Sequence, residues 1–346
     1  MPVRLSRRAL LQGSLTGLLG TTLLPALAQR PDSAGNLRLS RRPAFAVPVP
    51  TPFTATLELD LQAHRQLLRF YRQAGAEAVL ALASTGEMLS LSWPESLQLT
   101  RSASAVFGAP RTWASLSCGR SVAACVQGAR DLRLAGSGLP VVIPGLLAGA
   151  AVTQADALKR LLEVARRDGG PLGLYEAITP FHRTLPAADL AVLARQGSYQ
   201  LLKTTQGSPG QISGLMAEAP PGFPILEANT AELWAVLQVG ASGVIDFCAA
   251  CFPELLQHLC RHWAEPTQVQ AVQRLCRWIG DTDSLLLGSL AFPSGVKAVL
   301  AARGLAILPL SRQAVADLTA EQEALVSDLV RQFRSLSNEM GITPLI

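Results

Sequence analysis

Gln200-Leu201-Leu202-Lys203-Thr204-Thr205 is a short apolar run that closes on a lysine and two hydroxyl residues. A run of this length reads as a buried strand rather than a helix. Seven others resemble it, at 45–50, 78–83, 112–117, 139–143, 172–176, 223–227 and 243–247. Longer amphipathic patterns separate them, among them 61–74, 94–106, 155–167 and 231–239. Repeated strand–helix units with apolar strands predict parallel pairing, and eight such units close a barrel. No Gly-x-Gly-x-x-Gly follows the first run, which argues against an open doubly wound sheet. Gly75, Gly136, Gly197 and Gly240 stand just after helical patterns, where C-terminal caps belong. The expected fold is therefore an α/β protein, a (β/α)8 TIM barrel over residues 44–252. Helices over 253–346 are expected to complete and extend it, with breaks near Pro266, at Gly280-Asp281, at Pro293-Ser294-Gly295 and near Pro309.

The first residues read differently. Ser6-Arg7-Arg8-Ala9-Leu10-Leu11 is a twin-arginine pattern, followed by a weakly apolar stretch and by Ala26-Leu27-Ala28, which suits signal peptidase. We expect a Tat-type export signal over 1–28 and a flexible lead-in over 29–43, which places the mature chain in the periplasm or outside the cell. Removing 1–28 takes away Arg4, Arg7 and Arg8 and no acid, so the formal charge falls from +5 to +2. No Lys/Arg cluster interleaved with aromatics follows, so no nucleic-acid partner is expected. No stable membrane association is expected after cleavage, since no later segment reaches the ~18 apolar residues of a span.

Lys203 stands where a barrel builds its active site, at the C-terminal end of a strand. Burial there would favour its neutral amine, a nucleophile able to form a Schiff base. Tyr175, at the end of the fifth run, is expected to face the same mouth and to move protons. Ser84-Thr85-Gly86-Glu87, after the second run, reads either as a carboxylate-binding turn or as a helix cap.

In order and spacing these pieces resemble the dihydrodipicolinate synthase and N-acetylneuraminate lyase group of Schiff-base aldolases. The carriers are Pro50-Thr51-Pro52-Phe53, Ser84-Thr85-Gly86-Glu87, Leu174-Tyr175 and Leu202-Lys203, with weaker support from 240–245 and 295–300. The resemblance implies a lyase in which Lys203 forms an imine with pyruvate or a related 2-oxo acid. It further implies Tyr175 as general acid and base, Ser84 beside the phenol, and Ser84, Thr85 and Gly86 around the substrate carboxylate. No metal or organic cofactor is implied. An aldehyde is the candidate second partner, and a homo-dimer or homo-tetramer is implied by resemblance alone. Lys297 matches a position expected to be structural.

Two departures qualify this. The synthase branch carries a tyrosine after strand four, in a Thr-Pro-Tyr-Tyr-like segment, where this chain has Ile143-Pro144-Gly145-Leu146-Leu147. The synthase also has an arginine soon after the strand-five tyrosine, and Arg183 falls three residues later than that. Arg183 is carried over as a substrate-binding residue. The biosynthetic synthase reaction is thus disfavoured relative to a divergent aldolase, and a barrel that binds 2-oxo acids without turnover is the alternative. Redox chemistry at Cys248-Ala249-Ala250-Cys251 is a third reading, and six cysteines leave the disulfide pairing open. His258 and His262, four apart, suit a solvated helical face better than a metal. Asp246 is a candidate inward carboxylate, and Glu227 and Asn229 are candidate pocket residues.

Overall fold

The computed structural model describes residues 42–313 and 317–346. The export signal read over 1–28, and the lead-in as far as residue 41, lie outside the described residues. Eight strands run in chain order around a closed barrel. They are β1 (Ala44–Pro48), β2 (Ala78–Leu80), β3 (Thr112–Ser115), β4 (Leu139–Val142), β5 (Leu172–Tyr175), β6 (Tyr199–Thr204), β7 (Ile225–Glu227) and β8 (Gly243–Val244). Every pairing is parallel, and β1 meets β8 through Ala44↔Gly243 and Phe45↔Val244.

Each strand begins within two residues of its expected start. Most end earlier than their apolar runs, because the chain leaves the ladder to build turns at the mouth. The clearest case is β8, which stops at Val244 so that Asp246 can cap the following helix through Ala249 N.

Among the described residues thirteen helices surround and extend the barrel. In order they are α1 (Leu61–Gln73), α2 (Trp93–Phe107), α3 (Val122–Leu134), α4 (Pro144–Leu147), α5 (Gln154–Asp168), α6 (Ala187–Arg195) and α7 (Pro209–Glu218). Then come α8 (Leu233–Gln238), α9 (Phe247–Cys251), α10 (Pro253–His262), α11 (Val269–Gly288), α12 (Ser294–Arg303) and α13 (Ala320–Glu339). Gly75, Gly136, Gly197 and Gly240 all take the left-handed backbone that ends a helix. Among the described residues no helix is long and apolar enough to cross a membrane.

One expected break is absent. α11 runs unbroken through Gly280-Asp281. A Cβ at 280 would lie 2.7 Å from the Thr230 carbonyl oxygen. Glycine there lets α11 approach the end of β7, a packing demand that a sequence pattern confuses with a stop.

The core extends past the barrel into the C-terminal helices. Arg303 of α12 is buried among the rings of Phe70, Phe252 and Phe333 and donates to the Glu254 carboxylate at 2.5 and 3.1 Å. That pair joins α12 to α10, and stacking the guanidinium on rings satisfies its faces where water cannot.

Candidate active site

The β5–β6 register sets Tyr175 directly beside Lys203. The lysine Nζ lies 4.3 Å from the centre of the tyrosine ring. Lys203 is 5% exposed, and burial lowers its amine to about 7, against the opposing charges of Asp246, Glu227 and Asp283. An amine in that range is substantially neutral at physiological pH and free to attack carbon.

Tyr175 is 4% exposed and its hydroxyl is 3.2 Å from the Ser84 hydroxyl. Burial raises the phenol and the Ser84 bond partly offsets that, so the hydroxyl stays protonated and able to donate. Lysine, tyrosine and serine thus come together from β6, β5 and the turn after β2.

That turn is not a helix start. The helix after it begins at Trp93, where Ser92 and Glu95 form the capping box. The backbone N–H groups of Gly86, Glu87 and Met88 close onto Ala83 and Ser84 within the turn. Helix-terminus chemistry is therefore unavailable, and the turn offers the hydroxyls of Ser84 and Thr85 together with their backbone N–H groups. Thr51 Oγ1 donates to the Gly86 carbonyl at 2.6 Å, and a Cβ at 86 would lie 2.5 Å from the Val49 carbonyl oxygen. Glycine at 86 lets the turn sit against the end of β1.

Glu87, which holds a left-handed backbone at φ 57°, does no capping. Its carboxylate accepts from Lys297 Nζ at 2.6 Å, Ser311 Oγ at 2.7 Å and Arg312 N at 2.8 Å. Arg312 in turn pairs with Glu95 at 2.7 and 2.9 Å. The structural role expected of Lys297 has this content: it ties the turn to the C-terminal segment.

Buried carboxyls stabilise the other loops of the mouth. Glu176 accepts from Leu185 N, Thr204 Oγ1 and Gln206 Nε2, which fixes the loops after β5 and β6 to each other. Glu227 accepts from Gly207 N, Ala228 N and Asn229 N, and burial pushes it up to about 7. Its lone pairs are taken by backbone, so it shapes the pocket from behind. Asn229 packs on Gly207 and accepts from Ala231 N at 3.3 Å.

Asp246 is buried close enough to Lys203 for its charge to act on the amine, and it also serves the fold. It caps α9, while its side chain meets Asp283 of α11. Asp283 accepts from Thr230 Oγ1 at 2.5 Å and Cys248 N at 2.7 Å. Asp246 Oδ2 has no conventional donor. Burial raises both acids; the Asp246 charge raises Asp283 further, so the shared proton stays on Asp283, and its hydrogen bond partly offsets the rise at Asp246.

Cys248 and Cys251 lie buried on α9, with thiols pushed well above their usual range by burial first. All six cysteines are free. Such thiols carry little thiolate, the species redox exchange requires.

Arg183 is only 8% exposed. Its guanidinium donates to the carbonyls of Ala148, Gly149 and Val152 and to Gln154 Oε1, at 2.7 to 3.0 Å. The residue straps the loop after β4 rather than reaching for a ligand. At Gly145, where a side chain's Cβ would lie 1.9 Å from the Phe181 carbonyl oxygen, the loop after β5 rests on the segment that replaces the Tyr-bearing one.

Sequence reading missed His182, whose Nε2 lies 2.8 Å from Thr205 Oγ1 at the end of β6. It missed Asp283 too, one of two acids in an amphipathic helix. His258 and His262 border a cavity of about 330 Å3 with Arg261 and the 340–345 tail, away from Lys203, and His262 Nδ1 pairs with Glu265 at 2.8 Å.

A parallel eight-stranded barrel with a desolvated lysine against a tyrosine at its strand ends defines a Schiff-base type of lyase. The chain belongs to the dihydrodipicolinate synthetase family, whose model matches residues 44–333. It is 24% identical to the 4-hydroxy-tetrahydrodipicolinate synthase of Moorella thermoacetica over 61% of this chain and 72% of that one. It is 26% identical to the enzyme of the same name from a Cyanothece species, over 80% and 93%. Among solved structures, a prophage protein of the dihydrodipicolinic acid synthase family from E. coli K12, in complex with pyruvate, superposes with TM-score 0.74 at 19% identity over 84% of this chain and 98% of that one. The 4-hydroxy-tetrahydrodipicolinate synthase of Methylacidiphilum fumariolicum SolV gives 0.76 at 19% identity over 86% and 98%.

Proposed function

We propose that this lyase forms an imine between Lys203 and pyruvate or a related 2-oxo acid, and uses it to make or break a carbon–carbon bond. The observation that carries the reading is the Lys203 amine, buried against the Tyr175 ring and lowered to about 7. The neutral amine attacks the keto carbon, and its departing N–H proton is taken up as the carbonyl oxygen becomes a hydroxyl. Tyr175 protonates that hydroxyl, water leaves, and a protonated imine remains with the phenolate relieved through Ser84. The imine draws electrons from the neighbouring carbon and so stabilises the enamine from which a bond to an aldehyde forms, or into which it breaks. The Ser84 and Thr85 hydroxyls receive the 2-oxo acid carboxylate.

Loss of the strand-four tyrosine, and an arginine committed to backbone carbonyls, weigh against the biosynthetic synthase reaction. The twin-arginine segment at Ser6-Arg7-Arg8 and the Ala26-Leu27-Ala28 site support action outside the cytoplasm. Family resemblance supports assembly with further copies of the chain, which light scattering would measure.

Borohydride reduction of the purified protein with pyruvate, read by intact mass, tests the imine. A reduced pyruvyl adduct on the wild type that is lost in Lys203→Ala is expected. A folded wild type without an adduct would sink the imine and leave a barrel that binds 2-oxo acids without turnover.

A further inference from the structure

His258 and His262 lie one turn apart on α10, the spacing at which two imidazoles of a helix can share one metal ion. Their ring centroids are 4.3 Å apart with 40° between the planes. Neither stands on a fully solvated face. Both are part-buried, and both border the cavity of about 330 Å3 that α10 forms with the end of α1 and the tail after α13.

The chain beyond the helix orients one of them. Glu265 N donates to the His262 carbonyl at 3.1 Å, which turns the chain back and brings the Glu265 carboxylate 2.8 Å from His262 Nδ1. A carboxylate only accepts, so Nδ1 carries the hydrogen and Nε2 of the neutral ring presents a lone pair. A carboxylate behind the ring is the arrangement that fixes metal-ligating histidines and makes the binding nitrogen more basic. Among the described residues, His262 Nε2 and both nitrogens of His258 have no hydrogen-bond partner, so an ion would displace no bond of the protein.

Charge does not exclude a cation. Arg261 borders the same cavity, but Glu265 offsets its formal charge, and Glu254 is already taken by Arg303. No cluster of three or more histidine, cysteine or acidic ligands exists among the described residues, so the protein supplies two nitrogens and water completes the shell. Imidazole donors suit copper and zinc, whereas magnesium and calcium call for carboxylate oxygens. We propose that His258 and His262 bind one late first-row transition-metal dication, Cu2+ or Zn2+, with Glu265 as the positioning residue behind His262. The site lies apart from Lys203 and stands or falls independently of the imine.

The test is isothermal titration of the purified protein, carrying no histidine tag, with Zn2+ and with Cu2+. One ion per chain is expected, with copper held more tightly than zinc. The electron paramagnetic resonance spectrum of the Cu2+ form should show two coordinated nitrogens. His258→Ala and His262→Ala should each weaken binding by more than roughly tenfold, and Glu265→Gln by roughly tenfold. Zn2+ should raise the melting temperature of the wild type and leave that of His258→Ala where it was. Equal melting temperatures without metal show that the variants are folded; should one melt early, the nitrogen count on the wild type still decides. No uptake of either ion, a Cu2+ form without two nitrogen ligands, or uptake that both histidine variants retain overturns the site. Equal affinity in Glu265→Gln overturns the role given to that carboxylate.

Discussion

Tyr175 and Lys203 are register partners on β5 and β6, with the lysine nitrogen 4.3 Å from the centre of the phenol ring and the phenol oxygen 3.2 Å from Ser84. The ring desolvates the amine while its hydroxyl supplies the proton. Tyr175→Phe keeps the first and removes the second. The rate of adduct formation in borohydride trapping is expected to fall by ~10²-fold or more, in the range of general acid–base contributions. Ser84→Ala, which removes only the phenol's partner, should cost less than Tyr175→Phe.

The lowered amine carries a stability cost whose sign can be read against pH. Between about 7 in the folded chain and its ordinary value of 10.5, Lys203 is protonated when unfolded and neutral when folded. The unfolded state then binds more protons, so stability rises with pH across that window, and the penalty is complete below it. Lys203→Met should abolish the adduct and melt higher than wild type at pH 6, with the gap narrowing towards pH 10. A lower melting temperature at pH 6 would contradict the burial argument. On the activity side, adduct formation in wild type should rise as pH passes through about 7.

Asp246 and Asp283 slope the other way. Both carboxyls are raised in the folded chain, Asp246 to about 6, so folding retains protons that the unfolded chain releases, and their contribution is lost as pH rises. Asp283→Asn supplies a permanent N–H to Asp246 and still accepts from Cys248 N, while the Thr230 hydroxyl can turn. The variant is expected to match wild type near pH 4 and to gain in melting temperature by pH 8.

Glu87 and Lys297 have fully shielded side chains 2.6 Å apart. Lys297→Met should destabilise by ~3–5 kcal/mol in denaturant unfolding, since it leaves a buried carboxylate without its cation. Adding Glu87→Gln should recover part of that loss, because the surviving hydroxyl and N–H donors can serve an amide oxygen.

Gly145→Ala would place a methyl against the Phe181 carbonyl. We expect ~1–3 kcal/mol of destabilisation by overpacking, seen in thermal unfolding, and a displaced His182.

The barrel was legible because buried parallel strands leave continuous apolar runs, and the helix ends because glycine marks left-handed caps. The Lys203 and Tyr175 neighbourhood followed from strand order, since consecutive strands of a barrel pair. Partners separated by long stretches of chain were not legible. Nothing local in Gly280 distinguishes a helix packed on Thr230 from a helix that stops. Arg183 gave the residue type of a carboxylate receptor while its bonds went to carbonyls more than thirty residues earlier. Asp246 was noticed as an acid near the mouth, but its pairing with Asp283 depends on how α11 folds back.

The carboxylate of Glu87 is received by residues 297, 311 and 312, more than two hundred positions further along. During synthesis, the turn proposed to hold the substrate must therefore wait, its left-handed glutamate unanchored, until nearly nine-tenths of the polypeptide has been made. A chain cut short before that point would have every strand of the barrel and yet lack a finished mouth, so catalytic competence arrives late, as a property of the whole chain.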